Sequence, residues 1–175
     1  MIGLLILQAA RVAGCSQVFV ADVDPTRLKL AATLGANEIL QASEADLVRE
    51  ILRLTNGRGV DLVFEAVGRQ ETVATAIDCA RKGGSVTLVG NITSQVSVPL
   101  QRIVTRQIRL QGSCASAGEY PEAMELVSSG KIKVASLISA VAPLQDGPQW
   151  FERLYNHEPN LMKVILDPRE PGPRA

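Results

Sequence analysis

Two kinds of segment exchange along this chain with little interruption, and that exchange limits its possible folds more than any other feature. Apolar runs of strand length stand at 17–23, 38–40, 61–66, 85–89 and 107–111, and between them lie segments of helix length with one apolar face. Strands with continuous apolar runs are buried on both sides, and helices on both faces of a parallel sheet bury them. The expected architecture is α/β, a doubly wound parallel sheet.

Local signals place the helices. Ile2, Ile6, Ala9, Ala10 and Ala13 keep a helical spacing from the first residues, and Gly14 follows where a left-handed cap belongs. Asp24-Pro25 predicts the next start, because the carboxylate accepts from free backbone N–H groups and proline tolerates the first turn. Leu28, Ala31 and Ala32 give that helix its apolar face, and Gly35 ends it. Ser43 is the expected cap of a third helix, with Leu47, Val48, Ile51 and Leu52 as its core stripe and Asn56-Gly57 as the closing turn. Val73, Ala76, Ile77 and Ala80 predict a helix over 70–81 that packs on the sheet and stops at Gly83-Gly84. Pro121 opens a helix over 120–129. Beyond Lys131 come apolar runs at 134–141 and 162–166 around a helix at 147–155, and the proline-rich 168–175 reads as a frayed end.

Composition narrows the functional classes. With 46% hydrophobic residues and 18 basic against 18 acidic side chains, the chain reads as globular, with no basic stripe for a nucleic-acid backbone. The apolar opening at 1–12 lacks the flank and cleavage pattern of a signal peptide. It also falls short of the roughly 20 residues that span a bilayer, so no membrane partner and a cytoplasmic setting are expected. Cys15, Cys79 and Cys114 are far apart with no CxxC pairing, and His157 is the one histidine. That inventory argues against a zinc site within the chain and reads as reduced thiols, with His157 a surface residue of the tail.

A dinucleotide site needs a helix N-terminus aimed at the pyrophosphate and an acid at the tip of the next strand, about 20 residues past the glycine-rich turn. Gly3 precedes Asp22 by nineteen residues, early in the first helix, where the third glycine of GxGxxG would let helix and strand pack closely. Asp22 ends the following strand, and its carboxylate would bond the free 2′-hydroxyl of NAD and repel the 2′-phosphate of NADP. Arg27 lies over the adenine side or pairs with Asp24. The first strand and the first two glycines of the fingerprint would precede Met1, so the reading is a Rossmann sheet lacking its first strand, in a fragment of a longer chain. On these residues alone, S-adenosylmethionine-dependent methyltransferases share the alternation and the strand-end acid and stay open as an alternative.

The stretches IGLLILQAARVAG, VFVADVDPTRLKLAATLGA, GRGVDLVFEAVG, GGSVTLVGN, RQIRLQGS and FERLYNHEPNLMKVILDP resemble, in order and over nearly the whole chain, the zinc-containing medium-chain dehydrogenases, closest to the sorbitol dehydrogenase-like branch. The resemblance displaces the methyltransferase alternative. It implies an NAD-binding Rossmann domain over 1–136 and a tail over 137–175 that would complete an absent N-terminal catalytic domain. By the same resemblance Gly3 matches the last glycine of the phosphate-binding motif, and Asp22 the acid on the adenosine ribose. Asp24 and Arg27 fall beside ribose and adenine, while Ala66, Val67 and Gly68 line the cofactor cleft. Asn91 and Ser113 match positions whose backbone faces the nicotinamide carboxamide. The activity implied is hydride transfer from a secondary alcohol or polyol to NAD, with zinc supplied by ligands this chain does not carry, in a homo-oligomer. No catalytic residue and no metal ligand is assigned within the chain, which alone is expected to be inactive. A non-catalytic NAD-binding module or partner subunit is the other class the sequence allows. Leu137, Ile138, Trp150, Phe151, Met162, Val164 and Leu166 would pack on the missing domain, so several are expected at the surface here.

Overall fold

The computed structural model describes residues 1–43 and 46–169. They fall into two compact units, one covering Ile2–Tyr120 and the other running from Pro121 on together with Met1.

In the first unit, helix and strand alternate: α1 (Ile2–Val12), β1 (Phe19–Asp22), α2 (Pro25–Thr33), β2 (Glu38–Gln41), α3 (Leu47–Leu54), β3 (Val60–Glu65), α4 (Gln70–Cys79), β4 (Ala80–Leu88), α5 (Leu100–Thr105) and β5 (Arg109–Gly112). All described strand pairs in it are parallel. β1 pairs with β2 from Phe19↔Glu38 to Asp22↔Gln41, and β3, β4 and β5 form a second ladder in that spatial order. The order β2-β1, then β3-β4-β5, is that of a doubly wound dinucleotide fold with a break at the centre, where its first strand would stand.

The predicted stripe of α4 forms the core. Val73, Ala76, Ile77 and Ala80 are buried with Val86 and Ile108, and Val63, Leu88, Val96 and Ile103 close the cluster. At about 1.5–3 kcal/mol for each large aliphatic side chain removed from water, this cluster is the main cohesive element of the β3-β4-β5 half. Gly14, at φ +90°, caps α1, and the Cys15 N–H reaches back to the Ala10 carbonyl at 3.0 Å. The buried face of α1 is Leu4, Leu7 and Gln8; Ile2 and Ala9 point outward, so the expected face is rotated.

Three local expectations need correction. Asp46, not Ser43, caps α3: its Oδ1 accepts from the Arg49 N–H at 3.1 Å, and the Ser43 hydroxyl is bonded to the Gln41 amide. Helix α4 ends at Cys79 rather than residue 81, because Ala80 pairs with Val60 and the Arg81 Nε donates to Asp61 at 2.6 Å, drawing the chain into β4. Gly83-Gly84 therefore lies inside β4, at its register irregularity. The short α5 has no counterpart among the expected helices; Pro99 at its N-cap is its one signal.

The second unit contains most of α6 (Tyr120–Ser128), then β6 (Ala140–Pro143), α7 (Gly147–Tyr155) and β7 (Val164–Asp167), with β6 and β7 parallel from Ala140↔Val164 to Pro143↔Asp167. Of the seven apolar tail residues, several of which were expected at the surface, Phe151 alone is exposed, Leu137 is buried and the other five are half-buried. Most of 168–175 lies outside the described residues. Among the described residues, no helix is long and apolar enough to cross a membrane.

Candidate nucleotide site

In an open parallel sheet, ligands bind beyond the carboxyl ends of the strands where the strand order reverses, here between β1 and β3. Asp22 is the last residue of β1. Its Oδ1 accepts from the Asp24 N–H at 2.9 Å, which fixes the carboxylate at the turn, and its Oδ2 makes no hydrogen bond among the described residues. Asp24 caps α2 by accepting from the Thr26 and Arg27 N–H groups at 2.8 and 3.4 Å. The Arg27 Nε stands 3.3 Å from the other Asp24 oxygen, one of the two placements the sequence left open for it.

At the carboxyl ends of β3 and β4 two loops interlock. The Val89 and Gly90 N–H groups donate to the Glu65 carbonyl at 2.8 and 3.0 Å, and the Thr93 N–H to the Gly68 carbonyl at 3.0 Å. Backbone meets backbone here. A Cβ on Gly68, which sits at φ +82°, would lie 2.3 Å from the Asn91 nitrogen, and a Cβ on Gly90 would lie 2.3 Å from the Gly68 nitrogen. Ala66, Val67, Gly68 and Asn91 are thus brought together at one sheet end, with Val67 39% exposed rather than buried in the core. Ser113 continues the neighbouring ladder, its N–H donating to the Leu88 carbonyl at 2.9 Å.

Under this double loop lies Glu65, which sequence reasoning passed over. It is 4% exposed, and its carboxylate accepts from the Val67 N–H and twice from the Gly68 N–H, all at 2.9 Å. An acid interrupting the otherwise apolar run LVFEAVG was the available signal. Gly90 was passed over as well, since its tight fit depends on a loop more than twenty residues away in sequence.

Gly3 stands at the start of α1 but is exposed, and a Cβ there would meet nothing within 4 Å. The close helix–strand packing expected at this glycine is absent among the described residues, because no described strand lies against it. A cavity of about 420 Å³, lined by Leu52, Gly57, Arg58, Arg81, Lys82 and Arg106, opens at the amino-terminal ends of β3, β4 and β5, the end opposite Asp22 and Gly68. Arg58 and Arg81 share Asp61 there, and Arg106 donates to the Ile77 and Ala80 carbonyls, so these cations are engaged in holding the sheet end together. Among the described residues, no three His, Cys, Asp or Glu side chains are grouped to hold a metal ion. The donors among the described residues therefore do not fit zinc. His157 is exposed, at φ +53° just beyond the end of α7.

Comparison with known proteins agrees with this architecture. The family model described as zinc-binding dehydrogenase matches residues 2–129. The chain is 31% identical over 169 residues to the sorbitol dehydrogenase of Bacillus subtilis (strain 168), covering 95% of this chain and 48% of that protein. It is 37% identical over 142 residues to the L-idonate 5-dehydrogenase of Vitis vinifera, covering 79% of this chain and 39% of that one. Among solved structures, an alcohol dehydrogenase from Thermus sp. ATN1 superimposes with a TM-score of 0.85 at 32% identity, over 94% of this chain and 47% of that chain. A zinc-binding dehydrogenase from Sinorhizobium meliloti 1021 bound to NADP gives 0.85 at 30% identity, over 95% and 49%. The chain spans about half the length of the curated relatives it matches. With strand order, strand-end acid and a family match over residues 2–129 in agreement, the chain belongs to the zinc-binding dehydrogenase family.

Proposed function

We propose that this chain is the cofactor-binding portion of an NAD-dependent, zinc-dependent alcohol or polyol dehydrogenase, in which NAD accepts a hydride from a secondary alcohol. The observation that carries the reading is Asp22 at the carboxyl end of β1, with one oxygen tied to the Asp24 N–H and the other without a hydrogen bond among the described residues. A carboxylate so placed can accept from both hydroxyls of an adenosine ribose, and its charge opposes a 2′-phosphate. Arg27, the side chain suited to hold such a phosphate, is turned to Asp24. This favours NAD over NADP, although a relative has been solved with NADP.

In this reading the α1 N-terminus at Gly3 offers backbone N–H groups to the pyrophosphate. Asp24 and Arg27 flank ribose and adenine. Ala66, Val67 and Gly68 line the cleft, and the backbones of Asn91 and Ser113 face the carboxamide. The alcohol contacts and the zinc ligands are assigned to sequence outside these 175 residues.

Calorimetric titration of Asp22→Ala tests the assignment. Losing the charge-assisted bonds should weaken NAD by about 1.5–3 kcal/mol, and NADP by less because a repulsion is relieved. Equal losses for both cofactors would remove Asp22 from the ribose site.

A further inference from the structure

Glu65 is the one charged residue among the described buried side chains, and no ion pair in the described residues involves it. A carboxylate taken out of water without a counter-ion is costly, and its partners here are two backbone N–H groups, those of Val67 and Gly68. Such a charge ends β3 at the point where the strand order reverses, so the negative potential is set at the mouth of the crevice rather than in the helix-covered body of the sheet. The doubly wound fold consists of two mononucleotide-binding halves. With Asp22 on the β1-β2 half for the adenosine ribose, the β3-β4-β5 half takes the other nucleotide, the one with the nicotinamide. That ring carries a positive charge when oxidised and none when reduced.

We propose that Glu65 is a specificity-determining residue that favours the oxidised over the reduced nicotinamide dinucleotide, its buried negative charge lying beneath the Val67-Gly68 loop at the end of β3, in the half of the fold that receives the ring. The proposal rests on the dinucleotide reading above. The pyrophosphate is common to both redox forms, so its repulsion from Glu65 cancels in the ratio of their affinities and leaves the ring charge as the difference. The same carboxylate fixes the Val67-Gly68 loop, a supporting role that would act on both forms alike.

The geometry supplies a charge-removing variant. Glu65 Oε1 accepts from both Val67 and Gly68, at 2.9 Å each, so a glutamine can keep both bonds through its carbonyl oxygen while losing the charge. Its NH2 takes the place of Oε2, which also accepts from the Gly68 N–H at 2.9 Å, so that shared bond is lost and exchange at Gly68 reads the local cost. The experiment is calorimetric titration of the full chain and its Glu65→Gln and Glu65→Asp variants with NAD+ and with NADH, with amide hydrogen exchange at Val67 and Gly68 alongside. Unit charges roughly 10 Å apart in a medium of effective dielectric near 20 imply an effect on the order of tenfold. For Glu65→Gln we expect the NAD+ dissociation constant to rise by that order and the NADH constant to stay within about twofold. Glu65→Asp, which keeps the charge, should leave the NAD+ to NADH ratio unchanged even where both affinities fall.

Equal weakening of both forms by Glu65→Gln, together with faster exchange at Val67 and Gly68, would reduce Glu65 to a loop support and overturn the inference. So would a ratio that moves as far with Asp as with Gln. Failure of the unaltered chain to bind either dinucleotide would instead overturn the cofactor reading itself, and this inference with it.

Discussion

Three glycine-to-alanine changes separate backbone conformation from backbone contact at the interlocked loops. Gly57 sits at φ +80° with nothing within 4 Å of an added methyl, Gly90 lies outside the left-handed region but would put its Cβ 2.3 Å from the Gly68 nitrogen, and Gly68 combines both conditions. For Gly57→Ala the cost is conformational, about 1–2 kcal/mol. At Gly90 the new methyl falls about 1 Å inside ordinary contact with rigid backbone, so the loops must separate. Overpacking costs about 1–3 kcal/mol, and separation endangers the Gly90-to-Glu65 and Thr93-to-Gly68 bonds at about 1 kcal/mol each. Gly90→Ala should therefore lose about 3–5 kcal/mol, a large part of a typical domain stability of 5–15 kcal/mol, and Gly68→Ala at least as much. Urea unfolding followed by far-ultraviolet circular dichroism, with the slope unchanged and the midpoint lowered, reads this directly. If Gly90→Ala proved as mild as Gly57→Ala, the close approach of the two loops would not exist in solution.

Two further outcomes follow from single side chains. The Cys79 thiol is pushed up to about 11, chiefly by burial, whereas Cys114 is exposed, so a thiol reagent at pH 8 should label Cys114 in the native chain and Cys79 only on unfolding; mass spectrometry showing equal native rates would refute the buried placement. Hydrogen bonds from Arg58 and then Arg81 hold the Asp61 carboxyl below the usual carboxylate range. Its stabilising effect is present above the unfolded value and fades as pH falls through roughly 4 and below, so Asp61→Asn should flatten the acid limb of a urea-midpoint profile. Because the pair is solvent-exposed the change should be small, and a profile steeper than that of the unaltered chain would contradict the sign.

Features written in contiguous residues were legible in the sequence. Asp24-Pro25 announces α2, and the Val73, Ala76, Ile77 and Ala80 stripe announces the core, because a helix repeats its exposure every three to four residues. Asp22 was legible as a strand-end acid. What escaped depends on residues brought together by the fold. The end of α4 is set by Val60 and Asp61, twenty residues earlier, which no local helix signal around Arg81 contains. The tightness of Gly90 is set by Gly68, and the buried state of Glu65 by the loop that folds back over it. Gly3 was legible only through its spacing, since its packing rationale requires a strand that is not among the described residues.

The interlock at the carboxyl ends of β3 and β4 makes two distant stretches of chain behave as one part. The Val89 and Gly90 N–H groups hold the Glu65 carbonyl, and the Thr93 N–H holds the Gly68 carbonyl. With Gly68 and Gly90 too close to admit a methyl between them, neither loop can shift far without carrying the other. A molecule that seats on Val67 and Gly68 alone would therefore be felt in the second loop, and its binding should slow amide exchange at Val89, Gly90 and Thr93 as well as at the residues it touches.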